Sequence, residues 1–345
     1  MRKIILFLLF LSVASGGEVR HFFDNVGYCT EASQIEAIVN AATQAEKQLL
    51  IKGNKKGFFA VISPHDDHMY AGRVYIHAIP RVASAKTVVI FSVTHGNVRR
   101  AINDPHGVII FDDYNYWKGP YSPVKVNTNL RKFLEHQLKK EDYIISRKAH
   151  DLEHAAEAMI PFLQYYNRNV KILSIMVTRM SWWKMRELSS RLAEAIHRYM
   201  KENGLKPGKD IAFIISTDAT HYGPDFNYQP FGLDEAAHSK ATAQDRELGR
   251  KFLSGRLTET KIRLFADRVW GERIPWCGIY SVPFGLLTVL NLAKLEGKKL
   301  QGIALRYGDS YTFGVLPVFN KGIGITAPFS LKHWVGYWAI GYRLK

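Results

Sequence analysis

Three apolar runs in this sequence each stop within a few residues of a histidine. "GFFAVIS" is followed by His65, "TVVIFSV" by His95, and "DIAFIIST" by Asp218 and His221 in "STDATHYG". Further on, Cys277 stands with Gly278 at the start of an apolar helical stretch. Imidazoles joined by a thiolate or carboxylate suit a divalent transition metal such as iron, copper or zinc. With coordination positions left open, such a centre activates water or dioxygen. A helix N-terminus beside Cys277 predicts a lowered thiol pKa and a thiolate ligand. Taken singly, each histidine reads as a loop residue bonded to backbone. The set at strand ends carries the metal reading.

The densest polar stretch is "SPHDDHMYAG", Ser63 to Gly72, with His65, Asp66, Asp67 and His68 in succession. His65 and His68 stand at i and i+3, which would chelate a metal on a helix, but Pro64 and Gly72 argue for a loop. Asp66, Asp67 and His68 are expected to line the mouth of the site.

The strand ends converge only if the strands are parallel neighbours, since ligands of α/β sheets bind beyond the strands' carboxyl ends. The elements alternate accordingly. Glu31 to Leu49 is helical with Thr30 as N-cap. Phe58–Ile62 and Thr87–Val93 are strands, and "GVIIFDDY" is a candidate third. "AHDLEHAAEAMIPFLQYY" is helical, "VKILSIMV" a strand, and "SWWKMRELSSRLAEAIHRYMKENG" a long helix capped by Ser181. Ile211–Ser216 is a strand, followed by helices in "DEAAHSKATAQDRELGRKFLSG", "TETKIRLFADRVW" and "IYSVPFGLLTVLNLAKLEG". "LQGIALRYGDS" and "TFGVLPVF" close the sheet. The basic, aromatic tail "SLKHWVGYWAIGYRLK" reads as a last strand and edge cover rather than a helix lying on a membrane. This pattern predicts an α/β fold, a three-layer sandwich with a mainly parallel central sheet. No linker stands out, so residues 18–345 read as one domain.

The first 17 residues, "MRKIILFLLFLSVASGG", have a charged start, a short apolar run and small residues for cleavage. They read as a signal peptide, placing the protein outside the cytoplasm, secreted or periplasmic, with an uncleaved membrane anchor as the alternative. The formal net charge is +16, which permits contact with a membrane surface or an anionic polymer. The basic residues are scattered through helices, no nucleic-acid module is evident, and no specific nucleic-acid partner is expected. The only two cysteines, Cys29 and Cys277, either form one disulfide in an oxidising compartment or leave a free thiolate as ligand.

"PHDDH" is similar to the "PHPDDE" motif of zinc-dependent sugar N-deacetylases, but lacks one residue between His and the Asp pair, which would move every ligand. Five segments in order resemble the Memo family instead: "PHDDHMYAG" (64–72), "SVTHG" (92–96), "EHAAEAMIPF" (153–162), "STDATHYG" (216–223) and "CG" (277–278). "VGYCTEASQIEAI" looks like the family's opening segment. The resemblance implies a fold similar to class III extradiol dioxygenases, which use non-haem iron. It implies a metal at His65, His95 and Cys277, iron or copper first and zinc as an alternative. Asp218 and His221 would lie in the same cleft, with His221 as base oriented by Asp218. Glu153, His154 and Glu157 match a further family pattern, with both glutamates on one helical face. Family members are described both as redox proteins and as phosphotyrosine-peptide adaptors. The expected partner is therefore a small molecule or a peptide. Bacterial and archaeal members, labelled AmmeMemoRadiSam system protein B, are associated with a radical SAM protein, which conflicts with an export signal. Three function classes follow: a metal-dependent oxidoreductase, a non-enzymatic binding protein on the same fold, and a zinc hydrolase.

Overall fold

A computed structural model describes residues 18–50 and 58–345; the stretch 1–17, read from sequence as a signal peptide, lies outside the described residues. Among the described residues, no helix is long and apolar enough to cross a membrane.

The strands are β1 (Val19–Arg20), β2 (Ala60–Ser63), β3 (Thr87–Val93), β4 (Ile109–Phe111) and β5 (Tyr116–Trp117). They continue with β6 (Val124–Val126), β7 (Tyr143–Ile145), β8 (Lys171–Val177) and β9 (Ile211–Ser216). The last are β10 (His221–Tyr222), β11 (Gly255–Arg256), β12 (Leu300–Asp309) and β13 (Trp334–Leu344). The helices begin with α1 (Ala32–Ala45), α2 (His68–Ala78), α3 (Gly96–Ala101) and α4 (Thr128–Gln137). Then come α5 (Arg147–Leu152), α6 (Ile160–Tyr166), α7 (Trp182–Glu202) and α8 (Glu235–Glu247). The chain ends with α9 (Glu259–Gly271), α10 (Ser281–Leu295) and the short α11 (Ser310–Phe313).

The main path of the sheet runs β1-β5-β6-β8-β3-β9-β2-β13-β12-β11. Its centre, β6 to β2, is parallel. β13, β12 and β11 extend it antiparallel. Strands covered on both faces should read as continuous apolar runs, and all seven residues of β3 are buried. Helices α1 and α2 pack on one face, while α7, α9 and α10 form a layer on the other. The result is the three-layer α/β sandwich expected from the alternation. β3, β9 and β2 are neighbours in one parallel block, so the chain leaves all three at the same edge.

Several local expectations change. His68 opens helix α2 rather than extending a loop. Gly72 does not break that helix: a Cβ there would sit 2.9 Å from Leu316 Cδ1 and 3.1 Å from Ile38 Cγ2. It is a close-approach glycine between packed elements. The N-cap of α1 is Glu31, not Thr30. The helix expected over 149–166 is interrupted after Leu152 and resumes at Ile160. "TFGVLPVF" forms no strand beyond the end of α11. The aromatic tail is a strand, but it is not at the edge: β13 lies between β2 and β12.

Candidate metal centre

The three strand ends do meet. His65 follows β2 by two residues and His95 follows β3 by two. Cys277 arrives on the α9–α10 connection, and one ligand atom from each of these three residues lies within 4.8 Å of the others. They line a cleft of about 820 Å³.

Which imidazole nitrogen faces the cleft follows from hydrogen bonding. The Ser216 hydroxyl donates to the Ala155 carbonyl at 2.8 Å, so at 2.7 Å from His65 Nδ1 it must accept. That leaves His65 Nδ1 protonated and puts the lone pair on Nε2. His65 is 1% exposed, and Nε2 has no hydrogen-bond partner. Asp218 Oδ2 lies 3.4 Å from it, beyond the ordinary hydrogen-bond range. Burial, with His95, His154 and His221 nearby, holds the His65 imidazole well below its ordinary pKa, so it is neutral. A buried lone pair without a donor is costly unless a cation takes it.

His95 is oriented in the same way. Its Nδ1 lies 2.7 Å from Glu153 Oε1, and its backbone N–H donates to Glu153 Oε2 at 2.8 Å. A carboxylate behind an imidazole fixes the tautomer and raises the basicity of the other nitrogen. Burial opposes charge on His95, but Glu153 overrides it and lifts the pKa to about 10. Glu153 answers in kind: burial would raise it, yet His95 draws it down to about 2.

Cys277 differs from expectation. Helix α10 begins at Ser281, so the thiol is not at its first turn. Burial raises the Cys277 pKa and His95 only partly offsets this. The thiol is therefore protonated until a cation displaces the proton. His221 Nδ1 lies 3.1 Å from the Ala219 carbonyl and 3.2 Å from that of Pro275. Those acceptors require the proton on Nδ1 and turn Nε2, bare, toward Cys277 Sγ at 3.5 Å. Backbone carbonyls thus orient His221, where Asp218 was expected to. Asp218 instead accepts the His65 backbone N–H at 2.9 Å. Burial and the neighbouring Asp66 raise Asp218 to about 8.

Asp66 and Asp67 line the cleft as expected. Asp66 accepts the hydroxyl of Tyr337. Asp67 accepts the Thr326 backbone N–H at 2.6 Å and its hydroxyl at 3.0 Å, tying a distant segment to the site. Burial and Asp66 push Asp67 to about 7. His68 is corrected: it is fully buried beneath the site. Its Nδ1 accepts the Cys29 N–H at 3.0 Å, and its Nε2 donates to the Ala158 carbonyl at 2.9 Å. With both ring nitrogens satisfied, it is a core histidine. Cys29 lies beside it, and both cysteines are free thiols.

His154 reaches the cleft and stacks on His95, with ring centroids 4.6 Å apart. Burial and His95 lower it to about 4. Glu153 and Glu157 do not share a helical face. Glu153 serves His95, whereas Glu157 pairs with Arg20 and accepts the Phe23 and Asp24 N–H groups. The interruption after Leu152 aims them apart.

Sequence reasoning missed Ser216, Tyr28 and Tyr337, and the walls Trp270 and Tyr280. Tyr28 donates its hydroxyl to the His65 carbonyl. Ser216 and Tyr28 stand inside "STDATHYG" and "VGYC", so their motifs were in view. Tyr337 and Trp270 come from segments with no chemical signature.

The profile of the Memo-like protein family matches residues 27–312. A MEMO1 family protein of Saccharolobus islandicus is 30% identical over 260 residues, covering 73% of this chain and 77% of that protein. One of Sulfurisphaera tokodaii is 29% identical over 254 residues, 72% of this chain and 75% of that protein. With one of Methanothermobacter thermautotrophicus the identity is 27% over 175 residues, so the chain spans only 57% of that relative's length. The order of strand-end motifs and the match over most of the sequence agree, and the chain belongs to the Memo-like family.

Proposed function

We propose that this protein binds a redox-active divalent transition metal, iron or copper, at His65, His95 and Cys277, and uses it on a small organic substrate in the manner of a dioxygenase. The single observation that carries the reading is the buried, unpartnered His65 Nε2, beside two other donors. The neutral His65 imidazole, with His95 and the Cys277 thiol once the metal displaces a proton from each, forms a donor set suited to these metals. When bound, the metal would supply redox and Lewis-acid chemistry at the cleft floor.

The protein's own residues do the rest. Ser216 and Glu153 hold the two imidazoles with Nε2 forward. His221, with Nδ1 held by carbonyls, offers Nε2 as acceptor for the Cys277 proton or for a substrate hydroxyl. Trp270 and Tyr280 form apolar walls that exclude water and seat a flat ring.

Elemental analysis of anaerobically purified protein tests this. One iron or copper per chain is expected, with loss of most of it in both His65→Ala and Cys277→Ala. Full metal retention in both variants would remove the assignment. Oxygen uptake with a panel of catechols separates an oxidoreductase from a binding protein, and zinc with hydrolytic activity would move the reading to a hydrolase.

A further inference from the structure

The main cleft is rich in carboxyl groups. Asp24, Asp66, Asp67 and Asp218 line it, with Arg273 as its one arginine or lysine. A second, smaller cavity of about 150 Å³ also reaches Cys277, and its lining carries arginines in place of carboxyl groups. It shares His95, Cys277, Ile279 and Tyr280 with the main cleft. Its own charged residues are Arg99 and Arg179, and no carboxylate lines it. Arg99 stands on α3, which follows β3, and Arg179 follows β8 by two residues, so both lie beyond the carboxyl-terminal edge of these parallel strands, where α/β sheets receive ligands.

The two guanidiniums are under-used. Among the described residues their acidic neighbour is Asp104, at 3.7 Å from Arg99 and 4.0 Å from Arg179. Neither distance is that of a hydrogen bond. Asp104 is closer to His106, at 3.2 Å. The backbone of Arg179 is fixed by the Gly107 N–H, which donates to its carbonyl at 2.8 Å. That of Arg99 is fixed by its own N–H, bonded to His95 O at 2.9 Å. Two anchored backbones therefore hold two sparsely partnered guanidiniums around a cavity that ends at Cys277. Arginine's planar fork matches carboxylate and phosphate oxygens. The cavity has room for about five waters, enough for one such group.

We propose that the lobe between Arg99 and Arg179 is an oxyanion subsite, taking the carboxylate or phosphoryl group of a molecule whose reacting end lies at His95 and Cys277. The substrate class is then an anionic small molecule spanning both lobes, a statement that rests on the reading of His95 and Cys277 as the reacting centre.

Charge-selective alkylation tests it in metal-free, full-length protein in alkaline buffer. Iodoacetate (anionic) and iodoacetamide (neutral) are compared at Cys277, with peptide mass mapping to set aside the buried Cys29. The iodoacetate-to-iodoacetamide rate ratio is expected to fall roughly tenfold in Arg99→Gln/Arg179→Gln. It should stay unchanged in Lys201→Gln/Lys251→Gln, which removes the same charge from the surface. An unchanged ratio in the arginine variant, or an equal fall in the lysine variant, overturns the subsite. Inorganic phosphate and acetate are then used as protectants against iodoacetate. Saturable protection by phosphate alone assigns a phosphoryl group, by acetate alone a carboxylate, and by neither overturns the subsite. Metal content of the arginine variant is measured in parallel. Loss of the charge preference with metal retained supports both readings, and absence of metal from the wild type removes the metal reading while leaving the alkylation result intact.

Discussion

A histidine becomes a ligand or a core residue according to where its two nitrogens find partners. His65 and His68 are three positions apart in one stretch, yet His68 has both nitrogens bonded to backbone and His65 has one nitrogen bare. The same accounting yields a prediction for Glu153, which grips His95 through side chain and backbone. Glu153→Gln should leave the fold intact but weaken metal binding by roughly 10–100-fold, since an amide no longer fixes the tautomer or supports the imidazole's basicity. Competition titration against a chelator measures this. Unchanged affinity would show that His95 does not hold the metal through Nε2. His65, His95, His221 and Cys277 were legible as chemistry because their residue types are rare and stand at strand ends. Ser216 and Tyr28 were not singled out, because a serine hydroxyl or tyrosine hydroxyl gives no signal until its partner is known.

At the scale of elements, the site depends on α2 seating correctly behind β2. Gly72 allows the close approach, and Glu46 at the end of α1 clamps the pair. The Glu46 carboxylate, with no exposed side-chain surface, accepts from Arg73 and Arg306 Nε, each at 2.6 Å, and lies 3.2 Å from His77 Nε2. Burial would raise its pKa, but hydrogen bonds from His77, Arg306 and Arg73 hold it at about 2. The folded value is below the unfolded one of about 4.3, so its stabilisation is present above that pH and lost as pH falls toward the folded value. Glu46→Gln should lower unfolding free energy by about 2–3 kcal/mol near pH 7, with the difference from wild type shrinking steadily below about pH 4. Urea titrations at several pH values check the sign; a gap that widened on acidification would contradict it. The helical pattern revealed α1 and α7, whose apolar faces repeat along their length. It did not reveal the break after Leu152, because Glu153 and Glu157 satisfy helical spacing but are each claimed by a distant partner, His95 and Arg20.

For the whole molecule, the placement of β13 decides the sheet. It pairs β2 on one side and β12 on the other, and its Tyr337 reaches Asp66. Deleting residues 330–345 should therefore abolish cooperative unfolding, followed by circular dichroism on heating, because it removes an interior strand. A strand that merely covered an edge could be removed with the transition preserved. The sequence by itself determined the α/β class, the apolar strands and the imidazoles that follow them, because local pattern and rare residue types are properties of neighbours along the chain. The tertiary structure alone decided that β2, β9 and β3 lie side by side, that Cys277 meets them from another layer, and that His68 points into the core. It alone separated a carboxyl-lined cleft from an arginine-lined lobe at the same cysteine. Convergence and burial depend on contacts between residues far apart in sequence, where spacing carries no information.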